Sequence, residues 1–153
     1  MELTNEVLDK VFYNDGSLRD IYVFNVNLTD WQKFLDWILT STWDIVFYND
    51  GYVTDYNEKD VVQFFQEKEN HRIIMAIKTK NVIINCHFFS EDEIEVDIDP
   101  KEVKSKTEAY TVFEFMKDLS RLLNKQSILS RENSPDYPLV RVNPDGTLII
   151  STF

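Results

Sequence analysis

Glycine is nearly missing from this chain: among its 153 residues only Gly16, Gly51 and Gly146 occur, and each follows an aspartate. Asp-Gly is turn chemistry, because glycine accepts the positive φ that tight turns require. No glycine-rich phosphate loop of the Walker or Rossmann kind can be assembled from three such isolated residues, which excludes a nucleotide cofactor held in that way. Histidine is equally scarce. With His71 and His87 alone, a zinc site would need Cys86 and carboxylates without any recognised spacing. The single cysteine rules out an internal disulfide, and no G-x-S-x-G nucleophile elbow is present. No apolar run approaches the ~20 residues of a membrane span. The first residues, MELTNEVLDK, are acidic and mixed, unlike a signal peptide. These absences lead to the expectation of a cytoplasmic protein with no cofactor, no metal and no membrane partner.

Basic residues are also in short supply, 16 Lys and Arg against 27 Asp and Glu, for a net charge of −11. The deficit is uneven. Residues 1–70 carry fourteen acids against five bases, and residues 71–153 carry thirteen against eleven. All three tryptophans (Trp31, Trp37, Trp43) and five of the seven tyrosines lie in the acidic half. Phosphate binding needs basic surface, so nucleic acid is not an expected partner.

The hydrophobic spacing predicts a single globular domain over residues 1–153, of α+β class. It is read as a two-layer domain with a mainly antiparallel sheet of about six to eight strands and about four helices. TNEVLDKVF is a short helix capped by Thr4, and DIYVFNV is a strand. TDWQKFLDWILTS carries a capping box at Thr29 and Gln32, with Trp31, Phe34, Leu35 and Ile38 on one face. WDIVFY is a strand, NEKDVVQFFQEKE a helix capped by Asn57, and residues 72–99 a meander of three strands. A second capping box, Ser105 with Glu108, opens a helix to about Asn124. A short strand at SILS and a hairpin around PDG close the pattern.

The hexamer VFYNDG occurs twice, at residues 11–16 and 46–51. The first copy follows helical spacing and the second an alternating strand, so the expected roles are a helix C-cap at Gly16 and a hairpin turn at Gly51. A degenerate duplication is the rival reading, since Asp30, Phe34 and Leu35 align with Asp60, Phe64 and Phe65.

Carboxylates are the remaining chemistry. In SEDEIEVDIDP, Glu93, Glu95, Asp97 and Asp99 alternate with Ile94, Val96 and Ile98, a row of acids on one strand face. Such a row could hold a cation, but it lacks the glycine bend of a calcium loop. The favoured reading is a solvated face that discourages edge pairing. Alternation also turns Cys86 away from His87, giving a buried thiol and a paired histidine rather than a nucleophilic pair. His87 with a nearby carboxylate is the one acid–base arrangement left open. Arg19 and Asp20 read as a functional polar pair or as a loop salt bridge, and the second is favoured.

The stretches NDGSLRDIYV, TDWQKFLDWI and NCHFFSEDEIEVDIDPKEV resemble those of small uncharacterised bacterial proteins. In size, acidity and α+β pattern the chain is also similar to immunity proteins of bacterial toxin systems. That resemblance implies a non-catalytic binder and carries over no functional residue. The residues point the same way: complementary charge steers encounter, and aromatic side chains anchor interfaces. The expected partner is a basic protein, met by Asp30, Asp36, Trp37, Asp44, Asp50, Tyr52 and Asp55. On a helical wheel Trp37 falls outside the arc of Phe34, Leu35 and Ile38, so part of it should be accessible. Self-association into a homo-oligomer stays open. The alternative function is an enzyme built on a carboxylate and His87.

Overall fold

The described residues, 3–56 and 60–151 of a computed structural model, form four α-helices and nine strands. In chain order they are α1 (Asn5–Val11), β1 (Arg19–Phe24), α2 (Leu28–Thr40), β2 (Asp44–Asn49), β3 (Tyr52–Val53), α3 (Val61–Glu67) and β4 (Ile73–Lys78). Next come β5 (Ile83–Cys86), β6 (Glu93–Ile98), a short 3-10 turn at Pro100–Glu102, α4 (Lys106–Leu123), β7 (Ser127–Arg131), β8 (Val140–Val142) and β9 (Leu148–Ile150). The class is α+β as expected, with nine strands in one antiparallel sheet rather than at most eight. The additional strand is the two-residue β3, too short to leave a periodic signal.

The sheet order is β3-β2-β4-β5-β6-β1-β7-β8-β9. The meander β4-β5-β6 occupies the middle, as the alternation predicts, with Cys86 opposite both Met75 and Val96. Strand residues on one face of the sheet, Ile21, Val23, Met75, Ile77, Ile94 and Val96, share one core with residues of all four helices. At seven residues each, α1 and α3 are well below the ~12–15 residues at which an isolated helix holds in water, so packing on the sheet stabilises them. The centre of this packing is Trp31, fully buried, stacked on Phe88 and edge-on to Phe34 and Phe65.

Four expectations are corrected. The cap of α2 is Asn27, not Thr29: its side chain accepts from the Asp30 N–H and the Asp30 carboxylate accepts from the Asn27 N–H, which moves the box two residues earlier and leaves Gln32 to bond Val61 N and Asp36. The expected cap Asn57 lies outside the described residues; the helix it was to open begins at Val61, with Asp60 accepting from Val62 N. Gly16 is not a C-cap, because α1 stops at Val11 with Phe12 as cap, and Gly16 with φ +85° belongs to the loop beyond. Gly51 does sit in a hairpin turn, where Asp50 and Gly51 both have positive φ (+50° and +88°), the pairing a two-residue hairpin favours. Finally, Arg19 and Asp20 do not bridge each other. As neighbours in β1 they point to opposite faces: the Arg19 guanidinium is buried against the carbonyls of Val11, Tyr13 and Leu18, while Asp20 accepts from Tyr22 and Asn133.

Candidate functional site

Strand parity builds the second face of the sheet from Asp20 and Tyr22 on β1, Glu95 and Asp97 on β6, Asn85 on β5 and Ala76 on β4. Among the described residues no helix contributes a core contact to this face, and these side chains stay outside the shared core. The acids of β6 do not form the expected solvated face. β6 lies between β5 and β1, and Asp97 and Asp20 are buried. The row of acids survives there because it is hydrogen-bonded. His87 donates from Nε2 to Asp97 Oδ2 at 2.7 Å, and Asn85 donates to Asp97 Oδ1 at 3.4 Å. Asp20 receives the Tyr22 hydroxyl at 3.0 Å and the Asn133 amide at 2.8 Å. Burial pushes the carboxyls of Asp20 and Glu95 above the usual carboxylate range, and it raises the Tyr22 phenol as well.

Asp20 and Asp97 are direct cross-strand partners, and like charges so placed destabilise a sheet. Because the folded-state pKa of Asp20 lies above its unfolded value, its contribution is fully present below the unfolded pKa of about 4 and is lost as pH rises through the folded pKa. Asp20→Asn is expected to raise stability at pH 7 by roughly 1 kcal/mol. The difference should close by about pH 4, near the unfolded pKa, as urea midpoints at the two pH values would register. A variant equally stabilised at both would show that charge is not the cause.

A cleft of about 520 Å³ opens over the same face. Ile74, Ala76 and Ile83 form its apolar part, and Arg72 and Lys78 stand at the two ends of the β4 wall. His87 lies in this cleft, its ring stacked on Phe89 at 4.8 Å. The bond to Asp97 fixes the proton on Nε2 and orients the imidazole, an arrangement suited to acid–base transfer. Cys86 is no partner for it: the thiol is fully buried on the opposite face and pushed up to about 12 by burial. Among the described residues no group of three or more His, Cys, Asp or Glu is placed to hold a metal ion. No helix among them is long and apolar enough to cross a membrane.

The partner-binding candidates divide between the two ends of β2. Asp30 is engaged in the α2 cap and Asp36 accepts from Gln32 Nε2 at 2.9 Å. Trp37 is half-buried, stacked on Phe115 at 5.3 Å and edge-on to Trp43 at 5.6 Å, so it stands at the margin of the core. Its contact with Trp43 brings it beside Asp44. At the other end of β2, Asp50 accepts from the Arg72 amide and His71 Nδ1, next to Tyr52, with Asp55 just past β3. The five-residue step from Asp44 to Asn49 separates the groups by ~16 Å. His71, Arg72, Tyr48 and Lys78, which the sequence does not mark as site residues, complete the cleft and its mouth. The alternation in RIIMAIK was the available signal, since it sets Arg72, Ile74, Ala76 and Lys78 on one strand face.

Compared with protein-family models, with curated proteins and with solved structures, the chain matches none of them.

Proposed function

We propose that this chain is a non-catalytic binding protein whose acidic half receives a basic protein partner, with neutralisation of a bacterial toxin as the specific form of that role. What carries the reading is uncompensated charge beside an apolar edge. Among the described residues Asp30, Asp36, Asp44 and Asp55 form no ion pair with any Lys, Arg or His. Of these, Asp55 stands just past the edge strand β3, which holds Tyr52 and Val53 out to solvent at 79% and 72% exposure, while Asp30, Asp36 and Asp44 lie toward the other end of β2 and supply the longer-range field. A desolvated aromatic anchor surrounded by charge that steers the approach is how a fast and tight interface is commonly built.

The chain, tagged and used as bait in the cells that make it, is expected to recover a basic protein. With that protein in hand, Asp30→Lys combined with Asp36→Lys should slow association several-fold at low salt and much less at high salt, where screening shortens the reach of the field. Tyr52→Ala should instead raise the dissociation rate, because truncating an anchor acts on the bound state. Trp37 is a poorer probe, since its packing on Phe115 would mix stability into the result.

The second reading is an acid–base enzyme, favoured by one observation, the 2.7 Å His87–Asp97 bond within an open cleft. Capture of no protein, together with turnover in a substrate screen that disappears in His87→Ala, would displace the binding reading in its favour.

A further inference from the structure

Both histidines of the chain stand at one small pocket. Lys68 at the end of α3, His71 and Arg72 leading into β4, and His87 and Phe89 beyond β5 line it, around a volume of about 260 Å³. In a protein of net charge −11 this pocket gathers two cations, Lys68 and Arg72, with both imidazoles. Arg72, just before β4, and His87, just after β5, both line this pocket.

The carboxylates nearby are already engaged. Asp50 accepts from His71 Nδ1 at 2.7 Å and from the Arg72 amide at 2.8 Å. Asp97 accepts from His87 Nε2 at 2.7 Å and from Asn85. Each imidazole keeps its second nitrogen for a ligand: in the neutral ring it accepts, as from a P–OH of hydrogen phosphate, and in the imidazolium it donates. The Arg72 guanidinium has no protein partner among the described residues. Lys68 Nζ is fixed at the rim by a 2.7 Å bond to the Phe89 carbonyl and by the Phe65 ring beneath it at 5.7 Å; an ammonium has three protons, so donors remain.

We propose that Lys68, His71, Arg72 and His87 bind a phosphoryl group. Donors converging from α3, β4 and β5 suit a tetrahedral oxyanion with several acceptor oxygens, whereas one arginine fork already satisfies a planar carboxylate. The contacts come from side chains, so the site needs none of the glycine-rich backbone that this sequence lacks. The 520 Å³ cleft shares Arg72 and His87 with the pocket and gives room for whatever the phosphate is attached to. Phe89, 53% exposed and stacked on His87, offers that group a flat face. The site is independent of the binding function proposed above, which rests on the acidic residues and β3.

The test is a titration of the full chain with inorganic phosphate at constant ionic strength, following the His Cε1–H signals by NMR. Both rings are expected to move along one saturating curve with a midpoint of ~1 mM, about 4 kcal/mol of binding, while chloride moves neither. Arg72→Ala should weaken binding at least about tenfold and Arg72→Lys should regain part of it; Lys104→Ala, away from the pocket, should change nothing. Phenyl phosphate separates two sources of the same chemistry. Tighter binding than inorganic phosphate, lost in Phe89→Ala, assigns the pocket to an aromatic phosphate ester, and equal binding assigns it to the free anion. Different curves for the two rings, or unaltered binding in a folded Arg72→Ala, would overturn the proposal. Lys68→Gln supplies the same reading if Arg72→Ala does not fold.

Discussion

Trp31→Ala is expected to remove about 3–5 kcal/mol of stability, the range for deleting a large aromatic from a packed core. The indole is fully buried, with ring centroids of Phe65, Phe88 and Phe34 at 5.1, 5.5 and 5.8 Å. Its Nε1–H donates to the Ser90 carbonyl at 3.1 Å, which ties α2 to the turn before β6. Alanine would leave both a cavity and a carbonyl without its donor. Against a typical total of about 5–15 kcal/mol, such a loss is roughly a fifth or more of the stability of the domain. Urea denaturation followed by circular dichroism measures it; a loss below about 1 kcal/mol, the size of an ordinary surface change, would show that the site collapses to refill the space.

The second large effect is Arg19→Met, expected to cost about 3–5 kcal/mol, as when one partner of a buried charged network is removed. Arg19 is fully buried and donates to Val11 O at 2.8 Å, Tyr13 O at 2.7 Å, and Leu18 O and Ser17 Oγ at 3.1 Å, with Asp15 3.7 Å away. Methionine fills similar space but satisfies none of these carbonyls. Arg19→Lys should recover little, since a single ammonium cannot span the acceptors that a guanidinium fork reaches. Hydrogen exchange should localise the damage to residues 5–17. Exchange that is uniform over the whole chain would instead mean that α1 and its loop do not open separately.

That network also settles what the repeated hexamer does. In the first copy the backbone of Val11 and Tyr13 and the carboxylate of Asp15 wrap an arginine. In the second, the Asn49 amide reaches Tyr56 and Glu67, and Asp50 holds the start of β4. The same six letters serve different partners, which is why their flanks do not match.

Strand alternation made the middle of the sheet legible, and parity put His87 and Asn85 on one face and Cys86 on the other. It could not supply the neighbour. Asp97 meets His87 through the β5–β6 register, and Asp20 faces Asp97 only because β1 inserts beside β6. The acids of β6 looked like a solvated face for the same reason: what covers a strand face is set by strand order and packing, and sequence periodicity is silent on both. The α2 cap was misread because both Asn27 and Thr29 are capping residues with a carboxylate or amide three places on, and packing chose the earlier one. The aromatic and acidic candidates of the first half are adjacent in sequence, yet β2 carries them to its two ends.

Strand order also fixes when the sheet can close. β6 and β7 do not touch; β1 lies between them. The partners of Phe24 and Tyr22 are Glu93 and Ile128, about 70 and 105 residues further along. Loop closure over such distances is entropically costly and slow compared with forming a meander. At the ~5–20 residues per second of synthesis, β1 waits several seconds for its first neighbour and longer for its second. The strand made first is thus among the last to be paired on both sides, held between two runs of strands, β2 to β6 and β7 to β9, that are both made after it.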